Sequence, residues 1–144
     1  MNEVKVVKRT FDYLVDELNY TLWIDKHPSY SSLSTLDYPR HRLTIKGYVP
    51  DIIGFNQFED IIAIEMKGTK DIQKGIGQAL LYREGTPFVY LAAFEQALER
   101  VSSTLIQNKI GGIYVSEEKV RKEDPIGLSS TIYLQDLKRE MDRI

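Results

Sequence analysis

The chain is 144 residues long, 42% hydrophobic and 28% charged, the make-up of an ordinary globular protein with enough chain to bury a core without staples. It contains no cysteine, which excludes a disulfide framework, thiolate-bound zinc and an iron–sulfur cluster. A formal net charge of −2 argues against a protein that coats nucleic acid, and leaves any such contact to local clusters such as Arg40/Arg42/Lys46 and Lys67/Lys70/Lys74.

The N-terminal MNEVKVVKRT is polar and charged, unlike a secretory leader, and every apolar run is far shorter than a membrane span. The expectation is a cytoplasmic protein, or one inside whatever host makes it, with no membrane partner. Residues 1–144 read as a single domain, without repeats or low-complexity tracts. Val4, Val7, Phe11, Leu14, Val15 and Leu18 recur at helical spacing and predict a first helix over about residues 3–20. Glu3 and Glu17 flank its apolar stripe.

In TLWIDKHPSYSSLSTLDYPRHR, Trp23 and Ile24 suggest a short strand, and His27-Pro28 with the serines that follow reads as loop. Tyr30, Tyr38, Arg40, His41 and Arg42 mix aromatic and basic groups, as nucleic-acid-contacting loops do. A loop with its aromatics tucked onto the domain fits equally well. His27 and His41 lack metal-ligand spacing, which disfavours zinc.

LTIKGYVPDIIGFN reads as two strand segments of a hairpin-like ribbon, with Gly47 as a bulge, Pro50 limiting the pairing, and one acid, Asp51, in an apolar setting. NQFED turns the chain into DIIAIEMKG. Strand residues two apart share a face, so Glu65 and Lys67 continue the face of Ile61 and Ala63, while Ile62, Ile64 and Met66 fill the other. An acid and a lysine among so many apolar residues must pair or bind an ion. Two carboxylates beside a lysine suit Mg²⁺, which takes oxygen ligands and keeps several waters. The plainer alternative is a salt bridge at a sheet end, with Asp51 a turn residue.

Asp71 is placed to N-cap a helix running to about Arg83, with Ile72, Ile76, Ala79 and Arg83 along one face. Gln78 and Tyr82, at i and i+4, share a neighbouring stripe with Gly75. Gly85 takes the C-cap place. FVYLAAF is a short buried strand, EQALERVSSTLIQNKI a helix, GIYVSEE a strand, KVRKEDPIGLSS a polar connector and TIYLQDLKREMDRI a terminal helix. This alternation is the grammar of an α/β sandwich with some parallel pairing. GIGQAL is not a dinucleotide fingerprint, because Leu80 stands where the third glycine belongs.

Pro50-Asp51, Glu65-Met66-Lys67 and Gln78-Ala-Leu-Leu-Tyr82, in that order, resemble the PD-(D/E)xK nuclease superfamily, especially its RecB-like and Holliday-junction-resolvase-like branches. The resemblance covers roughly residues 43–118. It implies a restriction-endonuclease-like α/β core, with a central mixed sheet of about five strands flanked by helices. The activity implied is that of a Mg²⁺-dependent deoxyribonuclease, Mn²⁺ substituting, of the kind used in DNA repair or recombination. Asp51, Glu65 and the Met66 carbonyl would hold the metal, Lys67 would serve the nucleophile, and Gln78 and Tyr82 would orient the site. Resolvase-like members add an acid from the first helix, a place for Glu17 or Glu3. They also dimerise, and apolar Ile113, Tyr114 and Tyr133 hint at a homodimer here. A domain that keeps the fold and binds nucleic acid without catalysis is the alternative. With no base-reading element in the sequence, DNA would be chosen by structure and not by sequence.

Overall fold

The computed structural model describes residues 2–26, 38–126 and 134–144. Helix α1 (Glu3–Asp12) starts where the Asn2 side chain accepts the Lys5 amide at 2.9 Å. It passes into a π-helical turn, Tyr13–Glu17, so the expected helix over 3–20 ends early. Strands β1 (Thr21–Asp25), β2 (Arg40–His41), β3 (Ile52–Phe55) and β4 (Ile61–Met66) follow. Then come α2 (Ile72–Tyr82), β5 (Phe88–Phe94), α3 (Glu95–Glu99), α4 (Ser102–Gln107), β6 (Gly111–Val115), β7 (Val120–Glu123) and α5 (Leu134–Met141).

The architecture is α/β: one mixed sheet in the order β2-β1-β3-β4-β5-β6-β7, flanked by helices. Strands β4, β5 and β6 are parallel to each other, while β3 and β7 run against them. All six residues of β4 are buried, which makes it the spine of the sheet. On one side Val6, Val7, Phe11 and Leu14 of the N-terminal helical segment cover Ile52, Ile62, Ile64, Met66, Tyr90 and Ala92. On the other, Ile76, Ala79 and Tyr82 of α2 pack on Ile53, Ile61, Ala63, Val89 and Leu91, with Leu98, Leu105 and Leu137 from the later helices.

Seven strands replace the expected five. The additions, β2 and β7, are edges. In KVRKE the charge pattern hides a strand whose cations are all used. Arg121 pairs with Glu95, Glu99 and Glu123 and lies 3.9 Å above the Tyr114 ring. Lys122 pairs with Asp124 and sits over the rings of Tyr20 and Tyr90. The expected helix over EQALERVSSTLIQNKI breaks in two at Arg100–Val101. Asp71 does not cap α2 with its side chain, but enters the helix in the left-handed region at φ 60. Gly47 is a turn residue (φ 81) after Lys46 (φ 55), joining a single Ile45–Tyr48 bridge, and not a bulge. Ile113 and Tyr114 are buried at 0% and 2% exposure, so the core consumes two of the three residues that hinted at a dimer. Tyr133, His27 and Tyr30 lie outside the described residues. No helix among the described residues is long and apolar enough to cross a membrane.

Candidate active site

Sheet register alone brings the predicted acids together. Ile52 stands opposite Ile64, so Asp51, just before β3, neighbours Glu65 near the end of β4. The Asp51 carboxylate reaches across and accepts the Met66 amide at 2.7 Å. This bond ties the start of β3 to the end of β4 where the sheet ladder stops. Both carboxyls lie at the carboxyl end of the parallel strands β4 and β5, where open α/β sheets carry their ligands.

Glu65 is 3% exposed. The Tyr82 hydroxyl donates to its Oε1 at 3.1 Å, with the Val49 carbonyl a second acceptor at 3.4 Å. Lys67 Nζ stands 3.8 Å from Oε2 and is itself only 15% exposed. Burial, then the Asp51 charge and a hydrogen bond shared with Asp51, push the Glu65 carboxyl up to about 9, against the pull of Lys67 and Tyr82. At neutral pH the metal-free pair therefore holds a proton between its carboxyls. Burial and the surrounding carboxylates also push the Tyr82 phenol well above its usual value, so it remains a donor. The stem of Lys67 lies along α2 at Gly75. A Cβ there would come within 3.0 Å of Lys67 Cγ and 2.8 Å of Leu91 Cδ1, so only glycine leaves room.

Gln78 is on the same stripe of α2 as Gly75 and Tyr82, and its Oε1 is buried without a partner. Glu17 is not brought to the site. It lines a cleft with Arg9, Asp12, Asp16, Glu118 and Lys119 next to β7. Glu3 is brought close instead, in a cleft of about 530 Å³ with Lys67, Gly68, Thr69, Lys70 and Asp71. The two acids are fourteen residues apart on one helical segment, roughly 21 Å at 1.5 Å per residue, so they cannot both serve.

One neighbour, Asp25, escaped the sequence reading, and Arg40, His41 and Arg42, expected in a nucleic-acid-contacting loop, stand around it. Ile24 stands opposite Ile52, which sets Asp25 beside Asp51, and the Asp25 amide donates to the Asp51 carbonyl at 2.9 Å. Asp25 stands opposite His41 in the parallel β1–β2 pair. His41, Asp25, Asp51 and Glu65 thus form one lateral row on the α2 face, successive members one strand spacing apart, about 4.8 Å. Asp25 is 6% exposed and ion-paired to Arg42 Nη1 at 2.9 Å. Arg40 Nη1 donates to the Asp25 carbonyl at 3.0 Å. The sequence-level signal for Asp25 was the alternation in TLWID, which sets Asp25 on the face of Trp23, away from Leu22 and Ile24.

His41, expected in a DNA-contacting loop, is 3% exposed. Burial lowers it to about 4, against Asp25 and the Pro50 carbonyl, so it is neutral at pH 7. Its Nδ1 accepts the Leu43 amide at 3.1 Å, which leaves the proton on Nε2. Tyr38 is tucked in too, bonded to Asp12 at 2.7 Å and 4.4 Å from the Phe11 ring. Among the described residues, no three His, Asp or Glu side chains are grouped closely enough to cage a metal by themselves.

No protein-family model and no curated protein matches the chain. Among solved structures, a protein of unknown function from Silicibacter pomeroyi is similar in fold, with a TM-score of 0.59 over 99% of this chain and 88% of that one. The two are 11% identical in sequence, and the likeness speaks to the fold alone.

Proposed function

We propose that the chain is a divalent-metal-dependent deoxyribonuclease of the PD-(D/E)xK type, which hydrolyses DNA phosphodiester bonds and selects DNA by structure. The observation that carries this reading is the convergence of Asp51, Glu65 and Lys67 on one buried patch, with Tyr82 bonded to Glu65. The succession α1, β1, β3, β4, α2, β5 supports a restriction-endonuclease-like core, with Asp51 opening β3 and Glu65-x-Lys67 closing β4.

The donor set fits Mg²⁺ or Mn²⁺. Two adjoining carboxyls that hold a shared proton offer a cation the same place, and Mg²⁺ asks for one or two carboxylates with the rest of its shell water. The Met66 amide faces Asp51, and in an extended strand the carbonyl of the same residue faces the same way, so it is available as a third oxygen. A metal bound there acidifies a water and offsets charge on the phosphoryl oxygens. Lys67 would hold the attacking water or neutralise charge gathering on the phosphate, its stem fixed by the slot at Gly75. Tyr82 fixes the Glu65 rotamer and favours its ionised form. A domain that only binds nucleic acid has no use for a buried carboxyl pair maintained at such electrostatic cost.

Asp51→Ala, Glu65→Ala and Lys67→Ala, assayed on labelled DNA with added Mg²⁺, are each expected to lose cleavage by at least about a hundredfold. Retained cleavage in all three refutes the assignment. The substrate is read from linear duplex, single strand, supercoiled circle and four-way junction offered in parallel. Cutting at one defined sequence in an intact circle would refute selection by structure.

A further inference from the structure

Arg42 stands out among the cations near the site. It is the ion-pair partner of Asp25, which is buried beside the two proposed metal-holding carboxyls and is not needed to hold a metal. The Asp25 side chain is 8% exposed, whereas that of Arg42 is 56% exposed. One Nη1 is spent on Asp25 Oδ1 at 2.9 Å, and the guanidinium fork has further N–H donors. Among the described residues Asp25 is the side chain that Arg42 is paired with, and a phosphate diester matches the rest of the fork.

The position in the row matters as much as the chemistry. Asp25, Asp51 and Glu65 span two strand spacings, about 10 Å. Lys67 stands at the Glu65 end and Arg42 at the Asp25 end. A row of buried carboxylates repels a polyanion unless cations flank it, and here one stands at each end. The ammonium at one end is packed into a slot, which suits a fixed role at the reacting group. The guanidinium at the other is held at its root and open at its tip, which suits a grip on substrate.

We propose that Arg42 is a phosphate clamp for the DNA strand that crosses the acid row, and that Asp25 is its positioning residue and not a metal ligand. The inference rests on the nuclease reading for its substrate class. Its test does not depend on cleavage. The metal-free protein is titrated with a fluorescein-labelled duplex over a range of salt, as wild type and as Arg42→Ala, Arg42→Lys, Asp25→Asn and the double variant. Arg42→Ala is expected to weaken binding about tenfold and to lower the salt slope by about one. Arg42→Lys should restore part of the affinity, since it keeps the charge and loses the fork. Asp25→Asn should lose several-fold, and the double variant no more than Arg42→Ala alone, because the two act as a unit. Mn²⁺ binding to Asp25→Asn should stay within about twofold of wild type. Arg42→Ala leaves the buried Asp25 carboxylate without its Arg42 partner and should lower the melting temperature. Affinities are therefore compared below each variant's melting transition. Arg42→Lys and the double variant, which spare or remove that buried charge, separate lost grip from lost stability.

If the wild type cleaves, Arg42→Ala should raise KM more than it lowers kcat. If it binds DNA and never cleaves, the nuclease reading fails while the binding results decide the clamp. Wild-type affinity and salt slope in Arg42→Ala would overturn the inference. So would loss of Mn²⁺ binding in Asp25→Asn, which would make Asp25 a ligand, or failure of the wild type to bind duplex at all.

Discussion

Replacing Glu65 by glutamine should make the metal-free protein more stable, by an amount that grows with pH. The Glu65 carboxyl is raised from its ordinary 4.5 to about 9, chiefly by burial and then by Asp51. Between those two values the unfolded chain gives up a proton that the folded pair keeps. The native state then binds more protons than the unfolded one, and its stability falls as pH rises, by up to about 1.4 kcal/mol per unit. From pH 5 to pH 7.5 this amounts to about 3 kcal/mol, a loss that belongs to the Asp51–Glu65 pair as a whole. Glutamine keeps an acceptor for Tyr82 and can donate an N–H to Asp51, so it mimics the protonated carboxyl at every pH. His41 acts with the opposite sign: being held neutral, it adds stability that is lost as pH falls from about 6.5 to about 4. It is common to both chains and cancels in the difference. Urea unfolding without metal, at pH 5 to 9, should give a Glu65→Gln advantage about 3 kcal/mol larger at pH 7.5 than at pH 5. An advantage that is flat across this range, or that shrinks as pH rises, would refute the shared proton.

Mn²⁺ binding should release close to one proton at pH 7.5, seen as different calorimetric heats in buffers of different ionisation enthalpy; no such difference would mean the pair is already ionised. Tyr82→Phe removes the donor that favours ionised Glu65, and should cost about 1–2 kcal/mol in unfolding free energy and weaken Mn²⁺ binding at neutral pH. Glu17→Gln should leave cleavage and Mn²⁺ binding within about twofold of wild type. Glu3→Gln, in the cleft with Lys67, should change cleavage kinetics more than Glu17→Gln does.

The parts of the site that were legible in sequence are those set by short-range geometry. Glu65 and Lys67 share a face because strand side chains alternate, and Gln78 and Tyr82 share one because helix residues four apart do. Asp51 was legible as a lone acid in an apolar segment, and the resemblance set its pairing with Glu65. Asp25 was not legible as a site residue, and Arg42 and His41 were legible only as members of a basic, aromatic loop and not as neighbours of the acids. That placement depends on β1 lying between β2 and β3, a pairing between segments far apart in sequence. The choice between Glu3 and Glu17 likewise needed the direction in which α1 crosses the sheet. In the fold, β7 was missed because an edge strand whose cations are paired reads as a polar connector. The helix after β5 looked continuous because Leu98, Val101 and Leu105 keep helical spacing across the break at Arg100–Val101.

Helix α2 carries two interior glycines whose fates diverge. Gly77 faces open space, with nothing within 4 Å of where a Cβ would sit, so alanine there should gain about 1 kcal/mol of helix stability at no cost to the fold. Gly75 offers the same backbone gain, but the added methyl would land on Lys67 and Leu91. A stabilising search guided by helix propensity alone would accept both changes. A search that also weighed packing against Leu91 and Lys67 would reject the second, and on the nuclease reading the empty volume of one methyl group would be what keeps the lysine aimed.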